Sequence, residues 1–506
     1  MTAVQSADRA AVATADPDLL AASDRVIAAL GTQLRVSDGI ALDQSPRAPF
    51  AVEDPGTGTE IATVFDATSD IARHAVDVAA EAGREWAATT TRQRSDTLRR
   101  AYDLMVERKD DFALLISREM GKPLAEAHGE FGYGSDFLRW YAEEAVRPGG
   151  SVRPSPNGDG RLLTSRAPVG LCLLITPWNF PLAMATRKIA PALAAGCSVI
   201  LKPAAQTPLT TLLFADVLRQ AGVPAGVVNI VTGTDPGELS STIMADHRVR
   251  KVSFTGSTPV GVRLLQQAAG NVLRSSMELG GNAPFIILDD ADLEHTVAGA
   301  MRAKLRNGGQ SCIAANRFLV HDDIADAFVD AFTESMRNIT VGHGLSAGAE
   351  LGPVIDRRAL ESMSAVVQSA LEEGAELLTG GHALCEHGYF FAPTVLDRVP
   401  VGAAITQAEI FGPIAAITRF DDDAEAIRLA NDTPYGLAGY VFGQDIDRTL
   451  RMADQLETGM VGINQGVVSN VAAPFGGIKQ SGLGREGSSE GLEEFQDIRF
   501  YNLANR

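Results

Sequence analysis

The sequence has few cysteines and no long apolar run, and these two shortages exclude whole classes of protein. Its four cysteines, at positions 172, 197, 312 and 385, are widely scattered, and two of them lie inside apolar runs. This distribution argues against a disulfide framework and favours a reducing, cytoplasmic location. No apolar stretch approaches the roughly 20 residues that a membrane-spanning helix needs. We therefore expect neither a secreted, disulfide-stabilised fold nor a membrane protein.

Basic residues are also scarce, because 44 Lys and Arg stand against 63 Asp and Glu, which gives a formal net charge of -19. Binding to nucleic acid or to an anionic membrane depends on a surplus of positive charge, so neither is expected. The first residues are rich in Ala and Asp without an uninterrupted apolar core, which indicates neither a secretory signal nor an acid-poor transit peptide. We predict that residues 1–35 form a loose N-terminal tail.

The apolar fraction of 45%, with 49 Gly and 24 Pro, is typical of a turn-rich globular protein. At roughly 150 residues per domain, the length suggests about three domains, or one large and one small. Apolar residues recur at helical spacing over residues 69–88, 92–120 and 124–145, which predicts three amphipathic helices. The Pro- and Gly-rich segment that follows predicts an arm, which we regard as a candidate oligomer contact.

Short apolar runs alternate with helical segments from residue 168 onward, and a second alternating set begins at residue 284. Strands that are apolar throughout and joined by helices predict a parallel sheet covered on both faces. Because such sheets bind ligands beyond the carboxyl ends of their strands, we expect the site at those loop ends. Residues 495–503 have strand character and are predicted to pair with the arm at 150–166.

Three of these loop ends carry residues suited to ligand binding. Asn179 could donate its amide to an oxyanion, or it could simply cap the helix that follows. Lys202 could face a ligand from a strand end, although a single Lys is usually solvated surface. Residues 254–261 offer backbone N–H groups at a helix N-terminus for a pyrophosphate, although Gly-x-Gly-x-x-Gly is absent and an ordinary Gly-rich turn is the alternative.

The segment Asn307-Gly308-Gly309-Gln310-Ser311-Cys312 could supply a nucleophile, and Glu278 upstream could supply a base. A thiol becomes a strong nucleophile only as the thiolate, which a helix N-terminus, a cation or an adjacent base favours. Taken alone, a cysteine is more often an inert, small hydrophobic residue. The hexapeptide by itself therefore leaves both interpretations open.

Together these motifs resemble those of NAD(P)-dependent aldehyde dehydrogenases, in the order of that family and over nearly the whole chain beyond the tail. The resemblance rests on residues 177–181, 202–204, 254–258, 278–281, 309–312, 409–413 and 474–477. It implies an α/β, aldehyde dehydrogenase-like fold with two Rossmann-like parallel-sheet domains and a small β arm. The implied divisions are the NAD(P)-binding domain at 36–146 and 167–280, the catalytic domain at 281–485, and the oligomerisation arm at 147–166 and 486–506. Homodimers or homotetramers are the implied assemblies.

The resemblance also implies a mechanism and a cofactor site. The Cys312 thiolate would add to the aldehyde carbon, the Asn179 amide and the Cys312 backbone N–H would hold the oxyanion, and Glu278 would be the general base for hydrolysis of the thioester. Asn179, Glu278 and the positive nicotinamide are the candidates for favouring the thiolate. The implied cofactor residues are Thr176, Trp178, Lys202, Ala205, Gly256, Ser257, Glu409 and Phe411. Many NAD-preferring relatives carry Glu at the position of Ala205, so NADP is expected, with NAD as the alternative.

Within this family the chain most resembles the succinate-semialdehyde dehydrogenase branch, through residues 175–181, 186–188 and 304–310. That resemblance implies a small anionic aldehyde substrate whose distal carboxylate is bound by Arg187 and Arg306, with Ser469 as a third contact. For each arginine taken alone, a surface or interdomain salt bridge is the ordinary interpretation. Ala314 stands where some members of the branch carry a second Cys, so no local disulfide switch at Cys312 is expected.

Other interpretations are a glutarate-semialdehyde or broad-specificity aldehyde dehydrogenase, or a catalytically silent homologue with a structural or binding role. A silent homologue would be free to lose Cys312, Glu278 or Asn179, and this chain has all three. No metal is expected, because the ligand-type residues His382, Cys385 and His387 lie in a Gly-rich polar stretch without a fourth ligand.

Overall fold

The computed structural model describes residues 12–30, 47–147 and 149–505. The first part of this chain is mainly helical. Its elements are α1 (Pro17–Leu30), β1 (Phe50–Asp54), β2 (Thr59–Val64), α2 (Ser69–Ala88), α3 (Thr91–Glu107), α4 (Lys109–Met120) and α5 (Leu124–Glu144). β1 and β2 form an antiparallel hairpin.

Part of the predicted N-terminal tail is a helix, which corrects the expectation of a loose segment. α1 buries Leu30 in the core, and Val26 and Ile27 pack against that core. The Ala-rich composition that suggested a tail suits a helix equally well, since Ala has the highest helix propensity. Residues 1–11 and 31–35 of the predicted tail lie outside the described residues.

The single helix predicted over residues 92–120 is in fact two helices, α3 and α4, which meet at Arg108. This residue leaves the helical region with φ -111° and ψ 21°, and its guanidinium contacts Asp111 and Asp216 at 3.2 and 3.3 Å. The apolar periodicity continues across the break and so conceals it. Asp110 and Asp111 in the first turn of α4 were the local signal for a new helix start.

The next part of the chain begins with the arm and continues as alternating strands and helices. Its elements are β3 (Ser151–Pro154), β4 (Gly160–Pro168), β5 (Leu171–Ile175), α6 (Pro181–Ala195), β6 (Val199–Lys202), α7 (Leu209–Gln220), β7 (Val228–Ile230), α8 (Pro236–Met244), β8 (Val249–Thr255), α9 (Thr258–Ala268) and β9 (Arg274–Glu278).

A second alternating series follows, and the chain ends with a short helix and a long strand. The elements are β10 (Ala283–Ile287), α10 (Leu293–Leu305), β11 (Ala315–His321), α11 (Asp322–Arg337), α12 (Arg357–Glu372), β12 (Glu376–Thr379), β13 (Thr394–Asp397), α13 (Ala404–Gln407), β14 (Ile414–Phe420), α14 (Asp423–Asn431), β15 (Ala438–Phe442), α15 (Ile446–Ala453), β16 (Met460–Ile463), β17 (Gly482–Leu483), α16 (Ser488–Glu493) and β18 (Gln496–Ala504).

Two largely parallel sheets form the centres of the two α/β domains. The first has the order β17-β9-β8-β5-β6-β7 and the second the order β12-β13-β14-β11-β10-β15-β16. Neighbouring strands are parallel except at the β17–β9 and β12–β13 pairs. The central strands β5 and β6 are buried along their whole length. The predicted fold class is therefore confirmed.

The C-terminal region contributes to both the arm and the first sheet. β18 pairs with β4 over nine residues, and β4 pairs with β3, so the predicted pairing of the last strand with the arm is confirmed. Gly482–Leu483, which the sequence placed in the catalytic domain, instead extends the first sheet by pairing with Met277 and Glu278. A two-residue strand has no periodicity that a sequence pattern could show. No helix among the described residues is long and apolar enough to cross a membrane.

Candidate active site

A cavity of about 270 Å³ at the junction of the two domains gathers most of the predicted site residues. It is lined by the predicted catalytic residues Asn179, Glu278 and Cys312 and by the predicted substrate residues Arg187, Arg306 and Ser469. It is also lined by the predicted cofactor residues Trp178, Gly256, Ser257, Glu409 and Phe411. Thr176, Lys202 and Ala205 lie outside this lining.

The topology of the first sheet explains this convergence. β5 lies between β6 and β8, so the chain moves to one side of β5 and then returns to the other. The carboxyl edge at such a reversal is where open α/β sheets bind ligands. The loop after β5 carries Trp178 and Asn179, the loop after β8 carries Gly256 and Ser257, and Glu278 is the last residue of β9.

Cys312 lies in a turn that leads into β11, where the Ala314 N–H donates to the Ser311 carbonyl at 3.0 Å. A Cβ at Gly281 would overlap the carbonyl oxygen of Cys312, so the glycine permits the close approach of the two segments. Burial, with Glu409 and Glu278, raises the pKa of the Cys312 thiol to about 12, while Arg187 opposes this shift. These surroundings hold the resting sulfur as a thiol.

Glu278 ends β9 with both carboxylate oxygens buried, and neither has a hydrogen-bond partner among the described residues. Burial and the nearby Glu486 raise the pKa of Glu278 well above its ordinary value, whereas Arg187 and Lys188 oppose that rise. A carboxyl group with a raised pKa in a cavity is suited to accept a proton near neutral pH.

Asn179 does not cap α6, because the N-cap position is Phe180 and the Asn179 side chain accepts no bond from the first N–H groups of the helix. The Asn179 amide Nδ2 donates to the Gln310 carbonyl at 3.0 Å. An amide nitrogen has two protons, so one remains for a ligand in the cavity. The backbone carbonyl of Asn179 accepts from Lys122 Nζ at 2.9 Å and from Asn307 Nδ2 at 3.0 Å. The backbone beside the amide is therefore fixed from two sides.

Helix α5 supports this arrangement through two acids that the sequence analysis did not identify, the buried Glu130 and the half-buried Glu126. Glu130 pairs with Lys122 Nζ at 2.5 Å and accepts from the N–H groups of Leu182 and Ala183 at the start of α6. Glu126 accepts from the Asn307 N–H at 2.8 Å. The two acids are four residues apart and thus share one face of a helix. Acids on the apolar face of an amphipathic helix were the signal that could have revealed them.

The two predicted substrate arginines have different surroundings. Arg187 is buried, forms an ion pair with Glu486 and lies 4.2 Å from the centroid of the Phe475 ring. A salt bridge is thus present at Arg187, although its side chain also lines the cavity. Arg306 has no carboxylate within ion-pairing distance among the residues that the structure describes. Its Nη1 donates to Ser469 Oγ at 3.4 Å.

The cofactor side of the cavity offers an aromatic wall, a helix N-terminus and a buried acid. The rings of Trp178 and Phe411 meet edge to face, with centroids 5.4 Å apart. Ser257 is the N-cap of α9 but makes no side-chain cap bond, so the helix N-terminus is open to an anion. Glu409 accepts from the Gly281 N–H at 3.2 Å, and burial raises its pKa to about 7. These groups fit a nicotinamide dinucleotide.

The other predicted cofactor residues lie next to one another beyond the cavity lining. Lys202 ends β6, and burial lowers its pKa to about 8, with Asp66 opposing the shift. The Thr176 N–H donates to the Lys202 carbonyl at 3.2 Å. Ala205, three residues after Lys202, is partly exposed and brings no carboxylate to this region. The position thus offers no acid that would repel a phosphate.

The ligand-type residues at 382–387 bond to their own loop. His382 Nδ1 lies 2.9 Å from the Gly380 carbonyl oxygen, and Cys385 Sγ donates to the His387 carbonyl at 2.8 Å. Within the described part of the chain, no group of three or more His, Cys, Asp and Glu side chains could hold a metal ion.

Comparison with known proteins agrees with this geometry. The model of the aldehyde dehydrogenase family matches residues 42–501. A succinate-semialdehyde dehydrogenase of Paenarthrobacter nicotinovorans is 52% identical over 88% of this chain and 99% of its own. The NADP+ succinate-semialdehyde dehydrogenase GabD of Escherichia coli K12 is 45% identical over 92% of this chain and 97% of its own. A glutarate-semialdehyde dehydrogenase of Pseudomonas aeruginosa is 46% identical over 92% and 96%. A crystal structure of an E. coli NADP-dependent enzyme matches with a TM-score of 0.89 and 45% identity, over 90% of this chain and 95% of that one. The chain therefore belongs to the aldehyde dehydrogenase family.

Proposed function

We propose that this aldehyde dehydrogenase oxidises succinate semialdehyde to succinate, with NADP+ as the preferred cofactor. The observation that carries the proposal is the Arg306 guanidinium, which lies in the same cavity as the Cys312 thiol and has no carboxylate partner among the described residues. Such a cation favours a substrate whose far end is an anion. Two of the relatives, named as succinate-semialdehyde dehydrogenases, support the same substrate class.

The residues of the cavity would divide the chemistry as follows. After its thiol proton is lost to solvent, Cys312 attacks the aldehyde carbon as the thiolate, and Asn179 Nδ2 and the Cys312 N–H stabilise the oxyanion of the thiohemiacetal. A nicotinamide cofactor held in this site would supply the hydride acceptor that the oxidation to a thioester requires. Glu278 then removes a proton from the water that attacks the thioester, and Cys312 leaves. Trp178, Ser257, Glu409 and Lys202 would hold the cofactor.

The cofactor preference is proposed from the absence of an acid at Ala205. A carboxylate there would repel the 2′-phosphate of NADP+ and bind the ribose hydroxyls of NAD+. We expect kcat/KM to be higher with NADP+ than with NAD+, and Ala205→Glu to shift the ratio toward NAD+. A wild-type preference for NAD+ would contradict this proposal.

Glutarate semialdehyde is the second candidate substrate, since a relative at 46% identity carries that name. The two aldehydes differ by one methylene, which a pocket discriminates by roughly 10- to 200-fold. Steady-state kcat/KM with succinate semialdehyde, glutarate semialdehyde and butanal would test both. We expect succinate semialdehyde to be the best substrate, with neutral butanal of equal length far behind. Equal rates with butanal would defeat the proposal of an anionic substrate.

We also propose that the arm formed by β3, β4 and β18 joins copies of the chain into a homodimer or homotetramer. The side chains of Ile498, Phe500 and Leu503 on β18 are 65%, 59% and 57% exposed, an unusual concentration of apolar surface. Sedimentation or light scattering would give the assembly, and a monomer would contradict the proposal. The four cysteines are all free thiols, which suits the proposed cytoplasmic location.

A further inference from the structure

Tyr133 has a hydroxyl group that no described residue satisfies. The residue lies on α5 and lines the same cavity as Cys312. Its ring packs edge-on against Phe137, with centroids 5.0 Å apart and an interplanar angle of 72°. The Oη atom is buried from solvent and has no hydrogen-bond partner among the residues that the structure describes. Because buried hydroxyl groups are normally paired, a molecule that enters the cavity is the candidate for the missing partner.

The surroundings of Tyr133 favour an anion as that partner. Burial lowers the pKa of Arg187, but Glu486 and then Tyr133 raise it above the ordinary arginine value, which agrees with the two side chains lying near each other along the cavity. Arg306 and Ser469 line the same cavity. A group that accepts hydrogen bonds from a phenol, an alcohol and guanidinium ions is an oxyanion such as a carboxylate.

The remaining wall of the cavity strengthens this choice. Phe180, Met184 and Phe475 surround the polar groups with apolar surface. Few waters can replace a lost hydrogen bond in such surroundings, so each hydrogen bond to the anion contributes more to the binding free energy than it would in bulk solvent.

We propose that Tyr133 donates a hydrogen bond from its hydroxyl to the distal carboxylate of the substrate and so helps the enzyme to select anionic aldehydes over neutral ones. This inference rests on the proposed function, since it takes the substrate to be an anionic aldehyde. Tyr133 acts on the end of the substrate remote from the reacting carbon. Loss of its hydroxyl therefore weakens binding of the charged end and leaves the attack by Cys312 unchanged.

The substitution Tyr133→Phe tests this role, because it removes the hydroxyl and keeps the ring that packs on Phe137. We expect KM for succinate semialdehyde to rise roughly tenfold to hundredfold, with kcat within about twofold of wild type. For butanal, kcat/KM should stay within about twofold. The inhibition constant of succinate, which carries the same distal carboxylate, should rise by a factor similar to that in KM.

Tyr141→Phe is the matched control. Tyr141 lies on the same helix and also has a buried hydroxyl without a partner among the described residues, but it does not line the cavity. The ratio of kcat/KM for succinate semialdehyde to kcat/KM for butanal should therefore stay within about twofold of wild type in this variant.

A ratio that falls at least about fivefold in Tyr133→Phe, and not in Tyr141→Phe, supports the inference. A smaller fall, or equal losses with both aldehydes, overturns it, because a purely structural role would affect both substrates alike. A wild-type enzyme without any preference for succinate semialdehyde over butanal defeats the proposed function and the inference with it. A preference that is present in wild type and retained in Tyr133→Phe defeats the inference alone.

Discussion

Replacing Arg306 by Gln separates recognition of the substrate from the chemistry at Cys312. Arg306 makes few contacts that the fold needs. Its Nη1 lies 3.4 Å from Ser469 Oγ, and its guanidinium carbon lies 5.2 Å from the centroid of the Phe180 ring. Since it pairs with no described carboxylate, its removal breaks no ion pair, and Glu126, whose pKa its charge lowers, keeps the bond from the Asn307 N–H. We expect the free energy of unfolding to fall by less than about 1 kcal/mol.

The expected loss of activity follows from the bonds that the guanidinium would make to a carboxylate. A hydrogen bond to a charged group contributes about 1.5–3 kcal/mol, which corresponds to roughly a 10- to 150-fold change in kcat/KM. The loss should appear with succinate semialdehyde and be absent with butanal, which offers no anion to Arg306. The variant should therefore lose most of the preference for the charged aldehyde.

Arg187→Gln should behave differently because of Glu486. The buried pair would be broken, and Glu486 would keep only Lys188, which lies 2.5 Å away. Removal of one partner from a buried ion pair costs about 3–5 kcal/mol of stability. Arg187 also lowers the pKa of Glu278, so its loss would raise that pKa further and leave a smaller fraction of Glu278 as the carboxylate that accepts a proton. We expect lower stability and losses with both aldehydes.

The decisive measurement is kcat/KM for succinate semialdehyde and butanal in wild type, Arg306→Gln and Arg187→Gln, together with thermal unfolding of each protein. Equal losses toward the two aldehydes in Arg306→Gln would refute the reasoning, as would a preference that survives intact. A loss in Arg187→Gln that is confined to the charged aldehyde, without any loss of stability, would show that its ion pair is dispensable.

Glu278→Gln should still give a stoichiometric burst of NADPH while steady-state turnover falls roughly 10²- to 10⁴-fold, because only hydrolysis of the thioester needs the base. Rapid-mixing absorbance would show the burst, and its absence would contradict the assigned role of Glu278. With the Cys312 pKa near 12, inactivation of the cofactor-free enzyme by iodoacetamide should speed up about tenfold per pH unit between about pH 7 and 9, and a plateau in that range would contradict the thiol state. Burial lowers the pKa of Lys304 to about 7. Above that pH the folded state binds fewer protons than the unfolded state, so the free-energy cost of burying this lysine decreases as pH rises. Lys304→Met also removes the bond from Lys304 Nζ to Asn316 Oδ1 at 3.0 Å, a loss that should be nearly independent of pH. The melting temperature of the variant relative to wild type should therefore be higher at about pH 7 than at about pH 9, and a difference independent of pH would count against a titrating Lys304.

Residues that follow strand ends were accessible from the sequence. Apolar runs located β5 and β8 well enough to place Asn179 and Ser257 at one edge of a sheet, and the structure brings both to one cavity. β9 has no apolar run and was not predicted, so Glu278 was identified from its motif and not from a strand end. The signal is local, because a buried parallel strand is apolar throughout and its loop begins where polar residues resume. Their catalytic and binding roles stay predictions that the variants above test.

Contacts between distant segments left no such signal. Asn179 as a helix cap and Asn179 as an amide donor give the same local sequence, and its bond to Gln310 decides between them. The partner of Arg187 is Glu486, almost 300 residues away, and no periodicity connects the two. From the sequence alone, Tyr133 is one residue of an amphipathic helix, and only the structure shows the cavity beside it. Pair contacts of this kind follow from the tertiary fold and not from the pattern of any one segment.

Burial in the cavity raises the pKa of both reacting groups, and this has opposite effects on their reactivity. It raises the pKa of Glu278, which helps this carboxylate to accept a proton, and it raises the pKa of Cys312, which disfavours the thiolate. Of the candidates for favouring the thiolate, Glu278 as a carboxylate raises the Cys312 pKa. Arg187, which was not predicted for this role, lowers that pKa but is already paired with Glu486. The Asn179 amide carries no charge and is aimed at an oxyanion. In the proposed function the second cation of the cavity, Arg306, binds the distal carboxylate of the substrate. The positive nicotinamide of a bound cofactor is then the candidate that remains.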